Sequence, residues 1–99
     1  MSETCFLAAF SEKPCEGRLR KVHLLPKQRL KRAGLDPWDE RSWVWACGGE
    51  MGIEGHHGEL DGYKLTIPPD RLPLRLIELA EEHQLLGYLH HRYGYEAAA

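Results

Sequence analysis

This sequence of 99 residues has few features of a membrane, secreted or disulfide-rich protein. It contains no apolar run near 18 residues, so it predicts no transmembrane helix. The apolar stretch Phe6–Phe10 is too short for the core of a signal peptide, and no basic residue precedes it. Three cysteines are too few, and odd in number, for a disulfide framework. We therefore expect a cytoplasmic protein whose thiols are reduced or bound to metal.

The chain is also short of excess charge, with a formal net charge of -2, which does not suggest a nucleic-acid partner. Its length fits a single domain over 1–99, and 42% apolar and 28% charged residues are typical of a globular protein. The charge is unevenly distributed, however. Between Gly17 and Leu35 lie seven bases and no acid: Arg18, Arg20, Lys21, Lys27, Arg29, Lys31 and Arg32. Such a segment can contact a polyanion, although a solvated helix face is the alternative.

The most unusual stretch runs from Cys47 to Asp61. It holds one thiol, the adjacent His56 and His57, several carboxylates and five glycines, but few apolar residues. Glycine permits close backbone approach and positive φ. A polar loop rich in ligand-type side chains suggests a site, and the alternative is a solvated glycine loop with two incidental histidines.

Local patterns predict the elements around this loop. Short strands are expected over Arg18–His23 and Trp43–Ala46, with both Trp43 and Trp45 in the core. A helix is expected over Pro26–Ala33, because proline is typical of the first helical position and glycine, here Gly34, often follows the last one. A helix is possible over His56–Lys64. An apolar stripe at helical spacing predicts the main helix from Asp70 to about His83, and Leu85–Tyr93 either continues it or forms a second helix.

Candidate metal ligands fall into two groups. Cys15 is followed by His23, and Cys47 is followed by His56 and His57. Cysteine and histidine are the usual ligands of zinc, although the closely spaced cysteine pair of a zinc knuckle is missing from both groups. Cys5 lies in an apolar segment, which favours a packed thiol over a ligand.

The order of these segments resembles the HNH (His-Me finger, ββα-metal) endonuclease family, in particular its small phage and actinobacterial members. The resemblance is carried by four segments: CEGR at 15–18, HLLPK at 23–27, SWVWAC at 42–47 and HGELD at 57–61. It implies an α+β fold in which a β-hairpin plus helix forms the metal site and packs against a C-terminal helix. The metal-site region would span 15–65 and the helical packing region 70–93. It also implies a bacterial host cell and a phage origin.

The resemblance further implies roles for single residues. His23 would be the general base that activates water, because a neutral imidazole accepts protons near pH 7. His57 would bind the metal, and His56 would be a further ligand or would orient His57. Ser42 takes the place of the family's asparagine, which orients the base. The seven basic residues of the segment Arg18–Arg32 would bind the phosphate backbone of DNA.

Three departures leave an alternative open. Val22 stands where the family has a metal ligand, Ser42 stands where it has asparagine, and two cysteines stand where zinc-stapled members have four. The first hypothesis is a nuclease that uses Mg²⁺, Mn²⁺ or Ni²⁺ to hydrolyse DNA phosphodiester bonds. The second is a catalytically inactive module that binds DNA or a protein partner. In it, Zn²⁺ is held by Cys15, Cys47, His23 and one of His56 or His57. A small α+β protein without metal is the third.

Overall fold

The computed structural model describes residues 4–97, which form a mixed α+β fold with one antiparallel hairpin. The two strands and four helices are, in chain order, β1 (Leu19–His23), α1 (Lys27–Arg32), β2 (Trp43–Cys47), α2 (Gly55–Asp61), α3 (Leu74–Glu82) and α4 (Leu86–Tyr93). The expected combination of a hairpin with a helix that carries histidines is present, as are the C-terminal helices. Within this described part of the chain, no helix is long and apolar enough to cross a membrane.

The hairpin pairs β1 with β2. Backbone hydrogen bonds extend just past both ends of the strands, from the Gly48 amide to the Arg18 carbonyl at 3.1 Å and from the Leu24 amide to the Ser42 carbonyl at 2.8 Å. Trp43 and Trp45 do share one face of β2, but both are only half-buried, contrary to the expectation that they form the core. The interior face of β2 is instead formed by smaller residues.

Contacts divide the chain into two compact units. The first takes the chain up to Val22 together with Val44–Thr66. It contains a short 3-10 helix, Phe6–Phe10, which packs against α2. Its buried apolar residues include Leu7, Leu60 and Leu65. The N-terminal segment is thereby anchored on the helix that carries the paired histidines.

The second unit takes His23–Trp43 and the chain from Ile67 onward. In it, α3 packs against the 3-10 turn Glu40–Ser42 and against α4. The apolar stripe expected on the main helix is buried, since Leu76, Leu79 and Ala80 are inaccessible to solvent. The Tyr93 hydroxyl ties α4 to this core by donating to the Leu24 carbonyl at 2.8 Å.

The helix boundaries refine the predictions. Pro26 precedes α1 as its N-cap instead of occupying its first turn. Pro73 stands in the same place before α3, so this helix begins later than the Asp70 expected from the sequence. It ends at Glu82, and Gln84 then takes a positive φ of 58°. Of the two possibilities for the last segment, the structure shows a second helix, α4.

Candidate metal centre

Four ligand atoms converge in the first unit. They belong to Cys5, Cys15, Cys47 and His56, which we call the thiol–imidazole cluster, and all lie within 4.8 Å of one another. The His56 Nδ1 is 3.3 Å from the Cys5 Sγ, 3.6 Å from the Cys15 Sγ and 3.2 Å from the Cys47 Sγ. His56 and Cys47 are each 1% exposed, Cys5 is half-buried and Cys15 is exposed, so the cluster reaches from the interior to the surface.

These distances match those between the ligands of a tetrahedral zinc ion. Zinc–sulfur bonds of about 2.3 Å and zinc–nitrogen bonds of about 2.0–2.1 Å give sulfur–nitrogen edges of about 3.5 Å. The three observed distances between Nδ1 and sulfur, 3.2 to 3.6 Å, fall around that value. The cluster can hold a metal ion.

Two glycines bring Cys47 and His56 together. Gly48 follows β2 with φ +89°, and Gly55 opens α2 with φ +58°. A Cβ built on Gly48 would lie 2.3 Å from the Glu54 carbonyl oxygen, and one built on Gly55 would lie 2.5 Å from the Gly48 Cα. Real side chains cannot occupy that space. The backbones on either side of the loop 49–54 therefore touch, which places the last residue of β2 beside the second residue of α2.

The other two thiols come from the N-terminal segment. Cys5 immediately precedes the 3-10 helix that packs on α2, and its sulfur accepts the Cys47 amide at 3.4 Å. Cys15 comes from the loop before β1 and is the exposed cysteine of the three. Sequence reasoning assigned Cys5 to packing alone. The signal it overlooked is a second pair of similar spacing: nine residues separate Cys5 from Cys15, and eight separate Cys47 from His56.

The orientation of the His56 ring is fixed from its far side. Its Nε2 lies 2.8 Å from the Lys13 carbonyl oxygen, which can only accept a hydrogen bond. Nε2 therefore carries the proton, and Nδ1 points its lone pair at the three sulfurs. The buried Glu59 carboxylate, 3.8 Å from the same Nε2, accepts from the Ser11 hydroxyl at 3.0 Å. A carbonyl or carboxylate behind a ligating imidazole is the usual arrangement around protein-bound metals.

The thiols differ in acidity. Although Cys15 is exposed as a residue, desolvation of its sulfur, together with the hydrogen bonds and charges of the Cys47 and Cys5 sulfurs, raises the pKa of Cys15 to about 12. Burial also opposes ionisation of Cys47, but the backbone amides of His56 and Glu16 and the two other thiols donate to its sulfur, so its pKa lies below the ordinary value. Without metal, Cys15 is therefore the harder of these two thiols to ionise, and Cys47 the easier. A divalent cation would supply the charge that lets all three sulfurs ionise.

His57 lies outside the thiol–imidazole cluster, although the sequence favoured it as a metal ligand. Its Nε2 pairs with the Asp61 carboxylate at 3.2 Å. The opposite ring edge packs against Gly49, where a Cβ would lie 2.2 Å from Nδ1. That nitrogen is buried and has no hydrogen-bond partner within the described residues 4–97. Adjacent helical residues point about 100° apart, so only one of the two imidazoles can face the sulfurs.

The two residues predicted to be catalytic have other partners, and neither belongs to the thiol–imidazole cluster. The His23 Nε2 is 2.6 Å from the Pro37 carbonyl oxygen, and the ring packs on Trp38 at 4.7 Å between centroids. Ser42 is fully buried, and its hydroxyl donates to the Asp39 carbonyl at 2.6 Å. That hydroxyl stabilises the turn before β2, in contrast to the role beside a catalytic base that the sequence predicted.

The residues predicted to bind nucleic acid are all exposed. In the first unit these are Arg18, Arg20 and Lys21, and in the second unit Lys27, Arg29, Lys31 and Arg32. The six residues of α1 include four cations and no acid. The Lys27 ammonium also lies 4.1 Å from the ring centroid of Trp38, which is 47% exposed. The second unit thus presents a cationic helix with an aromatic side chain beside it.

Comparison with known proteins identifies no relative: no family model, curated protein or solved structure matches this chain.

Proposed function

We propose that this chain is a small zinc-stabilised module, with Zn²⁺ held by the thiol–imidazole cluster, that binds nucleic acid through its exposed basic segment. The convergence of three sulfurs on one imidazole nitrogen, at 3.2 to 3.6 Å, carries the zinc assignment. Sulfur-rich sets with one imidazole are typical of zinc, whereas Mg²⁺ and Mn²⁺ prefer oxygen ligands.

The role proposed for the ion is structural. Four protein ligands complete a tetrahedron and leave no position for water or substrate, as in structural zinc sites. The four ligands also come from four separate places in the first unit: the segment before the 3-10 helix, the loop before β1, the end of β2 and the start of α2. One ion would therefore cross-link four elements of the first unit.

Metal analysis of the purified protein tests this proposal. We expect one zinc per chain that survives dialysis, and loss of near-UV circular dichroism when a strong chelator removes it. His57→Gln is the matched control, because it changes the neighbouring imidazole and should leave the zinc content intact. A protein that is purified without zinc and does not acquire it from stoichiometric Zn²⁺ would exclude the site.

Nucleic-acid binding is supported by the charge of α1 and its flanks, although the whole chain is slightly acidic. Local positive charge on an exposed helix can contact phosphates without reading sequence. We expect weak, salt-dependent binding to duplex DNA, measured by fluorescence anisotropy. Arg32→Gln should reduce the slope of log K against log salt by about 0.9, the value for one phosphate contact. Arg71→Gln, an exposed arginine outside the basic segment, should leave the slope unchanged.

The nuclease hypothesis remains a proposal that rests on the order of the HNH-like segments and on His23 at the end of β1. A closed metal site gives the scissile phosphate nothing to bind, so we rank this function second. Plasmid nicking with Mg²⁺, Mn²⁺, Ni²⁺ or Zn²⁺ tests it directly. Cleavage by the wild type that His23→Ala abolishes would establish it, and equal behaviour of the two proteins with all four ions would remove it.

A further inference from the structure

A cavity in the second unit lies between α1 and the start of α4. Its volume is about 320 Å³, and it is lined by Arg29, Gln84, Leu85, Gly87, Tyr88 and His91. That volume lies at the lower end of the range of about 300–1,000 Å³ for small-molecule sites. The zinc site does not use this cavity, and the duplex-binding proposal shares only Arg29 with its lining.

The chemistry of the lining favours an anion. Arg29 supplies a guanidinium, whose planar set of donors matches the oxygens of a phosphate. His91 and Gln84 add ring and amide nitrogens, and the lining that the structure describes contains no carboxylate. The Arg29 guanidinium also lies 5.5 Å from the ring centroid of Tyr88, so an aromatic surface adjoins the cation. A cation beside an aromatic ring is the pairing used to bind nucleotides.

We infer that this cavity binds one phosphate-bearing nucleotide, with its phosphate on Arg29. The ligand can be a free mononucleotide or one nucleotide unit of a single strand, because both present the same phosphate and ring. All six lining residues belong to the second unit, whereas the thiol–imidazole cluster belongs to the first. The inference about this cavity therefore does not depend on the zinc assignment. Metal analysis tests the zinc assignment separately, so absence of zinc and absence of nucleotide binding can be told apart.

The test is an NMR titration of the purified full chain, labelled with nitrogen-15, with a 5′-mononucleotide and separately with a short single-stranded oligonucleotide. We expect shifts of the Gly87 and His91 amides. Arg29→Gln should weaken binding by about tenfold or more, as expected when a charged hydrogen-bond donor is lost. Arg71→Gln changes an exposed arginine of the second unit that lies outside both the lining and the basic segment, and it should change the mononucleotide affinity by less than about twofold.

A second pair of variants covers the case in which Arg29→Gln perturbs the fold. Nothing lies within 4 Å of a Cβ built on Gly87, so a side chain fits there without a clash. Gly87→Glu would place an acid at the lining and should abolish binding, whereas Gly87→Ala should preserve it. Binding of only the oligonucleotide, with the same contrasts between variants, identifies a strand as the ligand. Absence of binding to both probes, or equal losses from Arg29→Gln and Arg71→Gln, would overturn the inference.

Discussion

Cys5→Ser tests whether Cys5 is a metal ligand, as its place in the thiol–imidazole cluster suggests, or only a packed thiol, as the sequence predicted. The Cys5 sulfur lies 3.3 Å from the His56 Nδ1 and accepts the Cys47 amide at 3.4 Å. If it binds zinc, serine removes one of three thiolates while it keeps the size of the side chain almost unchanged. If it is only a packed thiol, the change should cost little beyond one weak hydrogen bond.

The expected magnitude follows from the four-ligand geometry. Structural zinc sites bind with about 10–16 kcal/mol at pH 7, which is about 3–4 kcal/mol for each of four ligands. A loss of that size lowers the zinc affinity by about 100- to 1,000-fold, because each 1.4 kcal/mol is a factor of ten. It is also a large fraction of the total stability of a small domain, about 5–15 kcal/mol, so the melting temperature should fall with the affinity.

Competition with a chromophoric zinc chelator measures the affinity, and thermal melts with and without zinc measure the linked stability. His57→Gln is measured in parallel, because it removes the neighbouring imidazole that the sequence favoured as a ligand. The reasoning would be refuted if Cys5→Ser bound zinc within about threefold of the wild type while His57→Gln lost it. Equal, small effects of both changes would show that neither side chain contacts the ion.

Two further substitutions test the backbone and the turn. Gly48→Ala should destabilise the protein by at least about 2 kcal/mol more than Gly52→Ala, because both glycines have positive φ but only a Cβ at Gly48 meets backbone at 2.3 Å. Urea unfolding of both variants measures this difference, and equal losses of stability would contradict it. Arg41 lowers the pKa of Asp39 in the folded protein, so the stability from this pair is present above the ordinary pKa of 3.8 and is lost as the pH falls through the lowered value. Asp39→Asn keeps a capping acceptor but removes the charge that faces Arg41, so it should cost about 0.5–1 kcal/mol at pH 7. The difference from wild type should shrink below pH 4, and a difference constant with pH would argue against this reasoning.

Regular local patterns predicted most of the elements. The buried residues of α3, Leu76, Leu79 and Ala80, fall at helical spacing, so the buried face of this helix could be predicted from the sequence alone. The bulky run of β2 identified a strand, but it could not show which face is buried, since Val44 and Ala46 alternate with Trp43 and Trp45 and all four are apolar. Val44 and Ala46 are buried in the interior, whereas the two tryptophans lie on the opposite face of the strand. There the Lys21 ammonium is 5.9 Å from the ring centroid of Trp45.

The ligand set of the candidate site was harder to predict from the sequence, because its residues come together through contacts between distant parts of the chain. Cys5 is 42 residues from Cys47, and it reaches the site because the 3-10 helix that follows it packs on α2. No local pattern encodes that contact. The choice between His56 and His57 likewise depends on how α2 is rotated, and this rotation is set where Gly48 and Gly55 touch.

The glycines of the loop therefore have a more specific role than the general flexibility inferred from their number. Gly48 and Gly55 bring β2 and α2 into contact and direct His56 toward the sulfurs, while Gly49 makes room for the ring of His57. A Cβ built on Gly52 would meet nothing within 4 Å among residues 4–97, so this glycine serves the turn alone. Two adjacent imidazoles on one short helix need two different environments. His56 points into the thiol–imidazole cluster, and His57 packs against the backbone of Gly49, which has no side chain to block the ring.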